Sequence, residues 1–125
     1  MVERQLIDYQ THQHRLINNL ANVYTMCLAM QELFALYDKM INNIQTKQDF
    51  SLMAPMHMNL AGMKALFCHL GYEGIKTMRE CCGANGFSKY SGLNSCIQTV
   101  SPFATLEGDY VVMSLQTARA LLKNS

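Results

Sequence analysis

Two stretches of this sequence carry residue types that could do chemistry. The first is Cys81-Cys82-Gly83-Ala84-Asn85-Gly86-Phe87, in which two glycines bracket a bend at the end of an apolar run. A bend of this kind needs a positive φ or a close backbone approach, and glycine permits both. It exposes backbone N–H groups, which can hold the anionic or polar parts of a nucleotide cofactor. The second is Leu106-Glu107-Gly108-Asp109, which puts one carboxylate, Glu107, at the head of a final helix. An acidic residue near a helix N-terminus is favoured there by the dipole, and by spacing alone that plain use outweighs a chemical one. Gly-x-x-Gly after a helix is likewise most often only a turn.

The remaining chemistry-bearing residues are weaker. His57 and His69 lie twelve residues apart and do not share a helix face. His12 and His14 flank Gln13, and neither pair has metal-ligand spacing, so no metal is expected. No Glu-x-x-His pair is present, which leaves a di-iron bundle without support. His69 and Glu73 are one helical turn apart, a spacing that suits a surface hydrogen bond. Cys81 and Cys82 cannot easily reach one metal from adjacent helix positions and read as buried packing thiols.

The elements that must position these residues are helical. The 125 residues suffice for one domain spanning 1–125, and 50% are hydrophobic against 15% charged. That balance indicates a globular, well-buried chain. The net charge of +1, with no run of Lys or Arg, excludes nucleic acid and anionic membrane as natural partners. No apolar run approaches the length of a membrane span. Val2-Glu3-Arg4-Gln5 lacks the apolar core of a secretory leader. An odd count of five cysteines suits a reducing intracellular setting better than a disulfide scaffold. The ten methionines read most simply as adaptable core filler.

Residues 1 to about 10 read as an extended lead-in to a long helix. Leu16, Leu20, Val23, Cys27, Met30, Phe34, Tyr37, Ile41 and Ile44 recur at alternating steps of four and three, which places all nine on one stripe of a helix packed nearly parallel to its neighbours. Tyr24, Met26, Leu28 and Leu33 add apolar surface off it, so the middle of the helix is expected to be covered on more than one side. A polar break over residues 42–49 ends it. A second helix starts between Ser51 and Pro55, since proline is tolerated in the first turn, and ends at Cys82-Gly83. Gly62, Gly71 and Gly74 inside it each cost about 1 kcal/mol against alanine, which implies close contact with another backbone or a loosened helix. Residues 91–101 form a short helix with Ser101-Pro102 as a stop. The last helix runs from Asp109 to Lys123, with Val112, Leu115, Ala118, Leu121 and Leu122 on one face. The prediction is an all-α chain, two long antiparallel helices with a shorter third packed along them.

Taken together, these segments resemble the C-terminal helical region of the acyl-CoA oxidases, relatives of the flavin-dependent acyl-CoA dehydrogenases. The family's Cys-Gly-Gly-His-Gly-Tyr/Phe turn corresponds to Cys82–Phe87, its Ser-Gly-Leu to Ser91–Leu93, and its Glu-Gly-Asp to Glu107–Asp109. Its Val-Met-x-Leu-Gln-Thr-Ala-Arg run corresponds to Val112–Arg119, and Asp8-Tyr9-Gln10 through Arg15-Leu16 is similar to its entry into a long helix. The resemblance covers nearly the whole chain, in order, and implies an incomplete version of the family's C-terminal four-helix domain.

By that resemblance Glu107 is the base that removes the α-proton of a fatty acyl-CoA, while the β-hydrogen leaves as hydride to FAD. The product is trans-2-enoyl-CoA, and reoxidation by oxygen gives peroxide. Gly83, Asn85 and Gly86 then fall at cofactor-binding positions, reaching FAD from a neighbouring subunit, as do Asp109 and Val111. Leu106 and Gly108 fall at substrate-binding positions. Here Ala84 replaces the family's second glycine, Asn85 its histidine, and Tyr110 its usual asparagine, and Leu106 stands where an aromatic is common. The family's N-terminal helical and central β-domains have no counterpart in these residues, so the chain alone is expected to turn over no substrate. A homodimer, or a complex with a fuller acyl-CoA oxidase chain, is the expected partner arrangement, because the incomplete bundle leaves an apolar face uncovered. The resemblance implies a peroxisomal location, although the chain ends Leu-Lys-Asn-Ser and not in a Ser-Lys-Leu type of address. The alternative is a non-catalytic helical interaction protein derived from the family.

Overall fold

The computed structural model of the chain describes residues 3–123. Among the described residues there is no strand, as the periodicity predicts. A single 3-10 turn at Leu6–Asp8 replaces the extended lead-in, whose first two residues lie outside the described ones. Helix α1 then runs Gln10–Lys47. Gln48 closes it in the left-handed region at φ 52°, with its amide donating to the Ile44 carbonyl at 3.0 Å. The Asp49 carboxylate accepts the Ser51 amide at 2.9 Å, a side-chain turn that reverses the chain into α2, Met53–Cys81. Pro55 stands in the first turn of α2, where its missing N–H costs nothing. Short elements follow: α3 at Gly83–Phe87, a 3-10 turn at Lys89–Ser91, α4 at Leu93–Val100, and a 3-10 turn at Ser101–Ala104 that carries the chain past Pro102. Helix α5 spans Tyr110–Lys123.

Contacts between distant residues fix the helix directions. Arg15 pairs with Glu80 at 2.6 Å near one end of the α1–α2 hairpin, while Met40 and Met56 share the core at the other. His69 meets Tyr110 and Gly62 meets Thr117, so α5 also runs antiparallel to α2. The core of Leu33, Met40 and Met56, flanked by Met30, Leu36, Ile44 and Met63, lies wholly between α1 and α2. On its other side α2 meets α5 through Gly62, against Thr117, and the buried Ala65, in the cleft with Tyr110. The third long element therefore packs along α2 and not along both long helices. The three form a row with α2 in the middle.

That arrangement corrects the faces read from periodicity. Of the nine stripe residues on α1, Leu20, Val23, Cys27, Phe34 and Tyr37 are exposed, with Phe34 60% accessible. The buried positions, Leu33 and Met40, sit about one residue away in phase, with Asn19, Asn22 and Met26 continuing the same line. On α5 the predicted face is also outward, since Val112, Leu115, Ala118, Leu121 and Leu122 are exposed while Met113, Thr117 and Ala120 turn toward α2. Both outer helices thus leave an apolar face exposed.

The helical glycines divide. A Cβ on Gly62 would lie 3.3 Å from the Thr117 hydroxyl of α5, and one on Gly74 would lie 2.9 Å from the Asn19 amide oxygen of α1. These two serve close approach, to side chains and not to backbone. Gly71 meets nothing within 4 Å.

Candidate functional site

The loop ahead of α5 places Glu107. Its backbone is left-handed at φ 59°, and Gly108 follows at φ 104°. A non-glycine residue held there costs about 1–3 kcal/mol, so the surroundings must impose the conformation. Three contacts do so. The Lys64 ammonium, on α2, donates to the Gly108 carbonyl. Met113 closes over Gly108, where a Cβ would come within 2.6 Å of its sulfur. Asp109 accepts the Val112 amide at 2.8 Å through its side chain and the Met113 amide at 3.0 Å through its carbonyl. Asp109 is thus the cap that starts α5 rather than its first residue. Leu106, Glu107 and Val111 are all exposed.

Beneath this loop a small cleft of about 40 Å³ is lined by Lys64, Cys68, His69, Tyr72, Ala104 and Tyr110. The His69 and Tyr110 rings pack tilted, with centroids 5.0 Å apart. His69 therefore does not use Glu73, whose carboxylate pairs with Lys76 at 2.9 Å. That pairing raises the Lys76 pKa above its ordinary value through the hydrogen bond its ammonium donates to the carboxylate.

The glycine bend is built at the far end of α2. Gly83 takes φ 56° with open space where a Cβ would be, whereas Gly86 is buried and its Cβ would fall 2.1 Å from the Arg79 carbonyl oxygen. Each glycine meets one of the two needs the sequence implies. The Ser91 hydroxyl donates to the Gly86 carbonyl at 3.2 Å, and the Asn94 amide to the Phe87 carbonyl at 2.6 Å, so the Lys89–Ser91 turn and α4 together hold the bend in place. Asn85 is exposed and the Phe87 ring is 73% exposed. Cys82 is also exposed and Cys81 half-buried, in place of two buried thiols.

Within one chain, the predicted residues fall into two groups. Leu106, Glu107, Gly108, Asp109 and Val111 lie together at the start of α5, level with Lys64 and His69 of α2. Gly83, Asn85 and Gly86 lie beyond the end of α2, roughly 18 Å past His69 at 1.5 Å per residue. Lys64 and Tyr72 went unremarked in the sequence. The available signal for Lys64 was its position as the lone Lys or Arg between Met53 and Ile75. Among the described residues no group of three His, Cys, Asp or Glu could hold a metal ion, and no helix is long and apolar enough to cross a membrane.

Known proteins share this architecture. The acyl-CoA oxidase C-alpha1 domain matches residues 1–122. The chain is 34% identical over 122 residues to peroxisomal acyl-coenzyme A oxidase 2 of Rattus norvegicus, covering 98% of this chain and 18% of that protein. It is 36% identical over 122 residues to peroxisomal acyl-coenzyme A oxidase 1 of Arabidopsis thaliana, with the same coverage of 98% and 18%. It superposes with a TM-score of 0.92 and 33% identity on the crystal structure of acyl-CoA oxidase-1 of Caenorhabditis elegans complexed with FAD and ATP, covering 98% of this chain and 19% of that one. A second structure, Arabidopsis thaliana acyl-CoA oxidase 1, gives a TM-score of 0.86 at 32% identity, again over 98% of this chain and 19% of that one. The chain thus spans about a fifth of the length of these relatives, and over that length it belongs to the acyl-CoA oxidase C-alpha1 domain family.

Proposed function

We propose that this chain is a single domain supplying the base-bearing helices of an acyl-CoA oxidase, with Glu107 as the base. The supporting observation is the exposed Glu107 carboxylate on a backbone at φ 59°, pinned from α2 and α5 at once. Imposed strain of this kind gathers at functional sites. In the proposed reaction, the Glu107 carboxylate takes the α-proton of a fatty acyl-CoA. When FAD is bound, it supplies hydride acceptance from the β-carbon, and the products are trans-2-enoyl-CoA and, after oxygen, peroxide. Leu106 and Gly108 line the substrate side. Asp109 and Val111, at the head of α5, lie on the cofactor side.

The glycine bend fits part of a flavin site. Gly83 opens onto free space, and the exposed Asn85 amide and Phe87 ring can donate a hydrogen bond and stack. Those groups cover one side only, and they lie far from Glu107 of the same chain. The reading therefore assigns the bend to the site of a neighbouring subunit, in a homodimer or with a fuller oxidase chain. A competent base must also be desolvated, and Glu107 is exposed here, so the chain alone turns over no substrate. A peroxisomal setting follows from the same reading.

The test combines this chain with an acyl-CoA oxidase lacking its own C-terminal helices but retaining flavin. The visible spectrum and peroxide release are then followed. Glu107→Gln is expected to leave the flavin spectrum and binding intact and to lower turnover at least 10²- to 10⁴-fold, the usual worth of a positioned base. Unchanged turnover would sink the assignment. The outward apolar faces of α1 and α5 favour a second reading, a helical interaction module without chemistry. It predicts no flavin at any stage and indifference to Glu107→Gln.

A further inference from the structure

We propose that Lys64 is a positioning residue for Glu107, acting by a hydrogen bond from its ammonium to the Gly108 carbonyl. The proposal rests on the reading of Glu107 as the base, and its test separates the two. Three observations carry it. Lys64 is partly buried in the middle of α2, the lone Lys or Arg in a long apolar stretch, and an ammonium placed there needs an acceptor. Its acceptor lies 44 residues away in the chain, on the carbonyl of Gly108, the residue that follows Glu107. Glu107 and Gly108 are the two consecutive residues that take φ 59° and 104°. Met113 and Asp109 also restrain the turn, but both ride on α5. Lys64 is the hydrogen-bond donor that ties the turn itself to α2, beside the His69–Tyr110 ring contact at the head of α5.

The choice of acceptor matters for the chemistry. Among the described residues the salt bridges are Arg15–Glu80 and Lys76–Glu73, so the Lys64 charge goes to a carbonyl and not to the Glu107 carboxylate. A direct ion pair would lower the carboxylate's proton affinity and weaken it as a base. A tether to the adjacent backbone fixes where the carboxylate stands and leaves it free to accept a proton. The same bond connects the head of α5 to the helix whose far end carries the glycine bend.

The experiment is heteronuclear NMR on the full chain, comparing Lys64→Met, which removes the donor and keeps the stem, with Lys64→Arg, which keeps a donor. The Met variant is expected to move the Gly108 carbonyl shift and the Glu107 HN–Hα coupling. It should speed amide exchange at Leu106 and Val112, which bracket the turn, by roughly 10- to 100-fold, the effect of losing one charge-assisted hydrogen bond. Lys64→Arg should recover most of both. Unchanged shifts in the Met variant, or an Arg variant no different from it, overturn the proposal. If Lys64→Met fails to fold, the unsubstituted chain decides: a contact between the Lys64 ε-protons and the Gly108 α-protons supports the tether, and its absence refutes it. With the flavin-bearing partner, Lys64→Met should lower kcat with little change in KM, and Lys64→Arg should restore it. Should Glu107→Gln keep full turnover, the base assignment fails, and the NMR comparison still judges the tether on its own.

Discussion

Replacing Gly86 by alanine should be among the most damaging single-methyl changes in this protein. The new Cβ would lie 2.1 Å from the Arg79 carbonyl oxygen and 3.1 Å from the Cys82 Cβ. The first neighbour is helix backbone and cannot swing aside. Either α3 moves off the end of α2, or the Arg79 peptide turns and releases the Cys82 amide that it holds at 3.2 Å. Forcing an atom into filled space costs about 1–3 kcal/mol. The lost hydrogen bond adds about 1 kcal/mol. A total of about 3 kcal/mol, at a urea slope near 1.5 kcal/mol per molar, lowers the unfolding midpoint by about 2 M. Two other glycines calibrate the result. Gly83→Ala has room but must hold φ 56°, and should cost about 1–2 kcal/mol. Gly71→Ala has room and ordinary helical φ, and should stabilise by up to about 1 kcal/mol. Urea unfolding followed by circular dichroism ranks the three. If Gly86→Ala unfolds no earlier than Gly83→Ala, the packing account of the bend is wrong.

The α5 cap and the α1–α2 turn offer further tests. Asp109→Ala removes the acceptor for the Val112 amide and should cost about 1 kcal/mol, read as a lower thermal midpoint with α5 amides exchanging first; an unchanged midpoint refutes the cap. Asp49 has its carboxyl held below its ordinary pKa, first by the Ser51 amide, then by the Ser51 side chain and the charge of Lys47. Because the folded value is the depressed one, the stabilisation is complete above about pH 4 and fades as pH falls through the folded value. The gap in thermal midpoint between the native chain and Asp49→Asn should therefore close in that acid window; a gap that stays constant from neutral pH down to pH 2 counts against the turn.

Much of the helical plan was legible because its punctuation is local. Pro55, the polar residues 42–49 and Gly83 mark helix ends through their own backbone demands, and the structure puts boundaries beside each. The facing of the helices was less legible. Four-three spacing on α1 marks where apolar side chains lie, but α1 is apolar around much of its girth. Leu33 and Met40 face α2 while Phe34 and Tyr37, one step round, face water. Glu107 could be placed at the head of α5 because Gly108 and Asp109 follow it. Its hold by Lys64 could not be read, since no local rule links residues so distant in sequence. Likewise Glu73 could reach His69 or Lys76 at helical spacing, and only three dimensions show that Tyr110 occupies the histidine's side.

The row of three helices has a mechanical consequence. Since α1 and α5 each lean on α2 and not on one another, α2 is the spine through which any disturbance must pass. Peeling α5 away would uncover Gly62 and Ala65 and leave the methionine-rich seam with α1 closed. Loss of α2 would dissolve both seams together. The end of the molecule that carries Glu107 can therefore loosen or reseat against a neighbour without melting the hairpin that anchors it.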